Sequence, residues 1–158
     1  MPAKSSQFVN WFRSASPYIH VHKGKTFVIQ FDDNAVRCQT FANLVHDLAL
    51  LNSLGIHLVL VFGARASIEA SLQAQNIAST YHNNMRVTDP ETMEHVKQVA
   101  GKLQLEIEAS LSRGIGNTPM ANAELRVVSG NFITAKPLGI VDGINYQFTG
   151  EVRSIDVN

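Results

Sequence analysis

The strongest structural signal of the chain lies in residues 54–72, LGIHLVLVFGARASIEASL. Gly55 ends a preceding helical pattern, and residues 56–62 form an almost unbroken apolar run, which is typical of a strand buried on both faces of a parallel sheet. Residues 63–65 then turn the chain into a new helical pattern. Ligands of α/β proteins bind at the carboxyl ends of the strands, where helix amino termini present free N–H groups. This turn is therefore a candidate site.

The preceding residues predict a second strand and its connection. Residues 25–31, KTFVIQF, indicate a strand that ends at a polar turn, Asp32-Asp33-Asn34. Apolar residues at spacings of three and four between Phe41 and Leu54 predict an amphipathic helix, with Gly55 as its C′ residue. Strand, helix and strand form a βαβ unit, so we expect parallel strands whose following turns lie at the same end of the sheet.

The region after the third helix begins with residues 76–87, which are polar and predict irregular structure. A long helix is then expected to begin at residues 88–91, TDPE, either as a capping box of Thr88 and Glu91 or as an Asp89 cap followed by Pro90. Gly114 and Gly116 come after this helix. A phosphate loop needs a strand before its glycines, so these two indicate an ordinary loop.

The last part of the chain predicts antiparallel hairpins instead of another βαβ step. Residues 125–128 and 132–135 are strand-like, and Asp142-Gly143 is a typical hairpin turn. No linker or repeat interrupts the sequence, so one domain is expected.

Composition excludes several classes of function. The 158 residues include 13 basic and 13 acidic side chains with no basic stripe, which disfavours nucleic acid and anionic membranes as partners. No apolar run approaches the roughly 18 residues of a membrane span, and the amino terminus lacks the pattern of a secretory signal. Cys38 is the only cysteine, which fits a reducing cytoplasm, and the six histidines show no zinc-type clustering. We expect a cytoplasmic protein without a metal.

The amino-terminal segment carries three aromatic residues, Phe8, Trp11 and Phe12, within a short helix predicted over residues 5–16 and ended by Pro17. This apolar face either folds back on the core of its own chain or packs against another subunit, because an isolated helix of this length is marginal in water.

The two turns differ in their fitness for phosphate. Gly63 gives the second turn part of a phosphate cradle, whereas the first turn carries Gln30, Asp32 and Asp33. A carboxylate ~4 Å from a phosphate repels it by about 1 kcal/mol in water and by several times more in a drier cleft. Asp32 and Asp33 could bind Mg²⁺, but adjacent residues of a strand point to opposite faces of the sheet, so the two carboxylates would not converge on one ion. A turn-forming role is preferred. No nucleophile with a paired base is evident, so no catalytic residue is assigned.

Four long segments resemble the amino-terminal part of bacterial N-acetylglutamate synthases, which are amino-acid N-acetyltransferases. They are FVNWFRSASPYIHVHKGKTFVIQF, HDLALLNSLGIHLVLVFGARASIEASL, NMRVTDPETMEHVKQVAGKLQLEIEASLS and VVSGNFITAKPLG. The resemblance implies a three-layer α/β fold, an amino-acid-kinase-like (carbamate-kinase-like) sheet with helices on both faces. It also implies that residues 1–22 are an oligomerisation helix with its connector and that residues 23–158 are an incomplete kinase-like domain, its amino-terminal lobe only.

The resemblance further implies a role in arginine biosynthesis. In the family, a separate acetyltransferase domain joins acetyl-CoA to L-glutamate, and that domain is expected to be absent from these residues, which makes the chain a fragment or a truncated product. The expected function is regulation by L-arginine and homo-oligomer assembly, with no catalytic residue or cofactor in this chain. The alternative, an acylglutamate kinase that phosphorylates a carboxylate, needs a Lys and two glycines where this chain has Gln30, Asp32 and Asp33.

Two further positions match residues of the family. Arg86, in NMRVT, corresponds to an Arg that contacts the substrate carboxylate in the kinases, although it could equally brace the helix start that follows it. Tyr18, in SPYIH, corresponds to the region of the amino-terminal helix that borders the arginine site. With Gly63, these residues are the candidates for ligand binding.

Overall fold

The computed structural model describes residues 2–113 and 125–156. Its helices are α1 (Pro2–His22), α2 (Asp33–Arg37), α3 (Phe41–Ser53), α4 (Arg65–Ala74) and α5 (Pro90–Ser112). Its strands are β1 (Thr26–Phe31), β2 (His57–Phe62), β3 (Thr80–His82), β4 (Met85–Val87), β5 (Ile133–Pro137), β6 (Ile140–Val141), β7 (Ile144–Asn145) and β8 (Gly150–Ile155). None of these helices has the length and apolar character needed to cross a membrane.

The predicted βαβ unit is present. Strands β1 and β2 pair in parallel from Thr26 opposite His57 to Phe31 opposite Phe62, and α3 connects them. Gly55 follows α3 with φ of +84°, a left-handed conformation that glycine adopts without strain and that terminates the helix. The prediction of Gly55 as the C′ residue is confirmed.

The core lies against one face of this sheet. Its centre is formed where α3 packs on α5, and it contains Phe41, Val45, Leu48, Leu103, Ile107 and Leu111. Alternate residues of both strands, including Ile29 and Leu60, pack against this cluster. The period-2 alternation of a strand therefore places one row of side chains on the helices.

The opposite face of the β1–β2 sheet is open within the described residues. Val28 is 67% exposed, Val59 45% and Val61 37%. The expectation that residues 56–62 are buried on both faces of the sheet is therefore not met within the described residues. The helices of the core pack on the inward row of the sheet, so the outward valines stay largely open to solvent.

Helix α1 is longer than the sequence predicts. It runs through Pro17 to His22, whereas the sequence predicts an end at Pro17. Proline removes one backbone hydrogen bond from a helix interior. The residues around Pro17 are exposed, so the carbonyl left without that bond can be solvated.

Residues 80–87 form a hairpin where irregular structure was expected. Strands β3 and β4 are joined by Asn83 and Asn84, both at positive φ, +47° and +63°. Consecutive left-handed residues are the signature of the type I′ turn, and Asn tolerates this conformation better than most residues. An Asn-Asn pair between Tyr81-His82 and Met85-Arg86 was the available signal for this turn.

Helix α5 begins at an Asp89 cap. The Asp89 carboxylate accepts a hydrogen bond from the Thr92 amide at 2.7 Å, and Pro90 occupies the first helical position. The second of the two predicted starts is therefore confirmed. The Thr88 hydroxyl instead accepts a hydrogen bond from Thr149 at 3.0 Å, and this contact joins the carboxyl-terminal segment to the helix start.

The carboxyl-terminal part contains the predicted hairpins. Strand β5 pairs antiparallel with β8, and β6 pairs with β7 around Asp142-Gly143, both at positive φ. Residues 125–128, which the sequence predicts as strand-like, do not form a strand. Gly114 and Gly116 lie outside the described residues.

Candidate functional site

The ends of β1 and β2 lie side by side, as the βαβ unit predicts. The Gly63 amide donates to the Phe31 carbonyl at 3.0 Å, which brings the turn after β1 next to the turn after β2. This hydrogen bond also uses the Gly63 N–H within the backbone of the two turns. Gly63 therefore lies at the carboxyl end of the sheet, as predicted. Its amide, however, already donates to a backbone carbonyl and is not free to bind an anion.

The first turn does not extend the strand. β1 ends at Phe31, Asp32 takes the N-cap position of α2, and Asp33 is the first residue of that helix. The argument that adjacent strand residues point to opposite faces does not apply here, because Asp33 already belongs to a helix. A methyl group added at Gly63 would lie 3.5 Å from Oδ1 of Asp32. Gln30 is exposed on the open face of the sheet.

Asp33 is buried, with only 3% of its surface exposed, although a turn-forming role predicts an exposed side chain. Its Oδ2 accepts a hydrogen bond from the Ser67 amide, in the first turn of α4, at 2.5 Å. Arg37 donates from Nη2 to Oγ of Ser67 at 2.8 Å. Burial alone would raise the pKa of Asp33, but the hydrogen bonds from Ser67 and the charge of Arg37 outweigh burial, so this pKa is lowered.

Arg86 lies on β4, where Nη2 donates to Oε1 of Glu69 at 2.5 Å and to the Tyr81 hydroxyl at 2.8 Å. Tyr81 is directly opposite Arg86 in the hairpin register. Nη1 of Arg86 is buried and has no hydrogen-bond partner among the described residues. One half of the guanidinium therefore has a structural role, while the other half retains unused donor capacity.

Glu69, on α4, is the centre of this cluster, and sequence reasoning did not single it out. It accepts hydrogen bonds from Ser79 at 2.9 Å, from the Tyr81 hydroxyl and from Arg86. The guanidinium of Arg65 stacks on the Tyr81 ring, 4.9 Å from its centroid. The cluster holds the β3–β4 hairpin against α4.

The electrostatics of the cluster follow from its contacts. Burial would raise the pKa of Glu69, but the hydrogen bonds from Tyr81 and Ser79, together with the charges of Arg86 and Arg65, lower it below its ordinary value. Burial and the bond to Glu69 raise the pKa of Tyr81. Glu69 therefore stays ionised and Tyr81 stays neutral at physiological pH.

Tyr18 and the three amino-terminal aromatics lie on α1. Tyr18 is 70% exposed and makes no hydrogen bond or ring contact with any described residue of the two turns. The ring of Phe8 contacts those of Trp11 and Phe12, at centroid distances of 6.3 and 6.4 Å, and all three remain more than half exposed. Of the two alternatives for this face, folding back on the core of its own chain is not observed.

No group of three or more histidine, cysteine, aspartate or glutamate side chains in residues 2–113 and 125–156 is arranged to hold a metal ion. The site residues thus form two separate groups: Asp33 with Ser67 and Arg37 at the ends of the parallel strands, and Glu69 with Arg86 and Tyr81 at the hairpin.

Comparison with known proteins gives a consistent result. The profile of the amino acid kinase family matches residues 25–158. The amino-acid acetyltransferase of Photobacterium profundum is 50% identical over 158 residues, which is 100% of this chain and 36% of the relative. That of Escherichia coli (strain K12) is 50% identical over 153 residues, 97% of this chain and 34% of the relative. The chain spans about a third of the length of these curated relatives.

Solved structures show the same relationship. N-acetylglutamate synthase from Neisseria gonorrhoeae, in complex with coenzyme A and L-arginine, superposes with a TM-score of 0.83 at 36% identity. The match covers 94% of this chain and 35% of that protein. The same enzyme with coenzyme A and N-acetyl-glutamate gives a TM-score of 0.79.

Proposed function

Because the chain belongs to the amino acid kinase family, we propose that it is the regulatory and assembly region of an N-acetylglutamate synthase and transfers no phosphate itself. The observation that carries this proposal is the 50% identity to amino-acid acetyltransferases over the whole length of the chain, which amounts to only 36% of the relative. The structural likeness to the Neisseria enzyme supports it independently.

In this proposal the complete protein acetylates L-glutamate with acetyl-CoA, the first step of arginine biosynthesis. The kinase-like fold accounts for residues 25–158, so the acetyl-transfer chemistry belongs to a separate domain of the complete protein. Coenzyme A therefore binds elsewhere, and these residues need no cofactor of their own. The complete protein is proposed to work in the cytoplasm.

L-arginine is the proposed effector, and a homo-oligomer is the proposed assembly. The Neisseria enzyme was solved with L-arginine, which makes this ligand the first choice. The exposed aromatic face of α1 supports assembly through that helix, because three large apolar rings are left in contact only with one another among the described residues. Tyr18, on the same helix, stays a candidate for the border of the effector site.

The kinase alternative is disfavoured by the turn after β1. Phosphoryl transfer depends on positive charge and backbone donors around the phosphates. Here the turn supplies the carboxylates of Asp32 and Asp33, and the Gly63 amide is already bonded to Phe31. We expect no turnover of ATP with N-acetylglutamate and no Mg-ATP affinity tighter than about millimolar, a change of roughly 4 kcal/mol or more from a typical micromolar site.

A domain exchange tests the proposal. Residues 1–158 replace the corresponding third of the Photobacterium relative, and N-acetylglutamate formation is measured with and without L-arginine. We expect activity that L-arginine modulates, whereas a version lacking these residues should have activity insensitive to L-arginine. Modulation that is identical with and without residues 1–158 contradicts the regulatory role. Micromolar binding of Mg-ATP to the chain in calorimetry contradicts the absence of kinase function.

A further inference from the structure

We propose that Asp33 is an internal anion that occupies the amino-terminal end of α4 and closes it to phosphate groups. The inference rests on the contacts of Asp33 and not on the regulatory role, so either can fail without the other.

The first turn of a helix carries N–H groups without intrahelical partners and the positive end of the helix dipole, which together attract anions. Residue 64, at the N-cap of α4, is an alanine, and no side chain from that position caps the helix. The Asp33 carboxylate, from the neighbouring helix α2, accepts the Ser67 amide at 2.5 Å instead. A carboxylate distant in sequence thus takes the place of a local cap.

A positive charge and hydrogen-bond donors surround the Asp33 carboxylate, and both stabilise an anion. Arg37 supplies a positive charge that lowers the pKa of Asp33 and donates to the Ser67 hydroxyl at 2.8 Å. Asp33 is almost completely buried, so its carboxylate occupies the space in front of the first turn of α4. An external phosphate would have to displace a buried, paired carboxylate or share its position against like-charge repulsion.

Thermal melting with inorganic phosphate separates this role from a purely structural one. The chain itself should show no shift. Asp33→Gly removes the carboxylate, and we expect phosphate to raise its melting temperature by about 3–6 °C at about ten times the dissociation constant. Asp33→Asn should not respond, because its amide oxygen still accepts the Ser67 N–H. Asp32→Gly is the matched control: Asp32 is exposed and its side chain makes no cap hydrogen bond, so no shift is expected.

A second substitution localises the new site. In the Asp33→Gly background, Arg37→Gln should abolish the phosphate shift, since it removes the guanidinium that donates to Ser67. A phosphate shift of equal size in the unsubstituted chain overturns the proposal. So does a folded Asp33→Gly variant without a shift, or a shift that survives Arg37→Gln.

A measurement on the unsubstituted chain keeps the proposal testable if Asp33→Gly does not fold. In an NMR pH titration, the Ser67 amide proton should move with the ionisation of Asp33, at a pKa below the ordinary value of 3.8. In Asp33→Asn this movement should disappear. A Ser67 amide that does not respond to pH, or that responds equally in Asp33→Asn, shows that the carboxylate does not occupy the helix end.

Discussion

Glu69 joins parts of the chain that the sequence keeps well apart. Its carboxylate accepts from Ser79, Tyr81 and Arg86, so a residue of α4 fixes both strands of the β3–β4 hairpin. The side chain of Arg86 is 11% exposed and that of Glu69 27%. At this degree of burial, loss of one partner leaves an uncompensated charge, which costs more than an exposed ion pair contributes.

We predict that Glu69→Gln lowers the free energy of unfolding at pH 7 by about 1–3 kcal/mol, because Arg86 then lacks a counter-charge. Urea unfolding provides the measurement. Glu94→Gln is the matched control, since Glu94 forms an ion pair with Lys97 on the exposed side of α5. It should change stability by less than about 0.5 kcal/mol. Equal effects of the two substitutions would contradict the structural role of Glu69.

The same residue predicts a dependence of stability on pH. The pKa of Glu69 is lowered from 4.5 in the folded state. A lowered pKa contributes stability that is fully present above the unfolded value and is lost as the pH falls through the folded value. The contribution of Glu69 should therefore be complete at pH 6 and should decline below about pH 4.5. Urea unfolding of the unsubstituted chain and of Glu69→Gln should converge as the pH falls. A constant difference between them from pH 6 to pH 3 would contradict this.

The two longest helices differ in how well their ends are capped and their apolar faces are buried. α5 begins with a side-chain cap and a proline at its first position, and three of its residues reach the core. α1 is a helix of 21 residues whose aromatic rings stay exposed. An isolated helix gains little stability from propensity alone, so α1 needs a partner surface to become more than marginally stable.

For α1 we predict that Phe8→Asp combined with Phe12→Asp reduces the mass of the oligomer, because charges replace the apolar face. Light scattering measures the mass, and circular dichroism verifies that the remainder is folded. Asn10→Asp combined with Ser14→Asp is the matched control, as it adds the same charge to another side of the helix. An unchanged mass in the aromatic variant, or an equal loss in both, would exclude assembly through this face.

For α5 we predict that Asp89→Ala lowers stability by about 1 kcal/mol through loss of the cap on Thr92. Asp32→Ala provides the comparison, because Asp32 holds the N-cap position of α2 without making a side-chain cap. That substitution should be almost neutral in the same unfolding experiment. A neutral Asp89→Ala would mean that the hydrogen bond to Thr92 adds nothing in solution.

The described parts of the whole molecule have a core on one face of a two-stranded parallel sheet and leave the other face open. Val28 and Val59 lie on this open face, and apolar residues of the β5–β8 ribbon, including Val152, are also exposed. Exposed apolar faces and unpaired strand edges favour contact with other chains. The chain should therefore self-associate in a concentration-dependent way.

At this scale we predict that Val28→Thr combined with Val59→Thr reduces self-association in sedimentation experiments and leaves stability almost unchanged, since both side chains already contact solvent. Val45→Thr makes the same chemical change inside the core, where Val45 is 5% exposed. It should cost about 1–3 kcal/mol, because the hydroxyl is then buried within an apolar cluster. Unaltered self-association of the double variant would show that the open face is not the contact surface.

The sequence alone predicts those elements that are stabilised by interactions within a few residues. Periodicity, capping and positive φ within a few residues predict the βαβ unit and the turn at Asp142-Gly143. They also predict that α3 ends at Gly55 and that α5 begins at Asp89. The resemblance to N-acetylglutamate synthases likewise follows from contiguous motifs. The comparisons confirm the fold class and the family because half of the aligned residues are shared with acetyltransferases.

Contacts between residues far apart in the sequence determine the candidate site and the covered face of the sheet. Asp33 meets Ser67 across 34 positions and Arg86 meets Glu69 across 17, so no local pattern could show that the first carboxylate is buried or that the second pair forms. Which face of the sheet is covered also depends on where α3 and α5 pack, because an apolar run such as residues 56–62 looks the same whether one face or two are buried. Sequence determines which side chains are available at each turn, while only packing determines which of them leave solvent and which partner they meet.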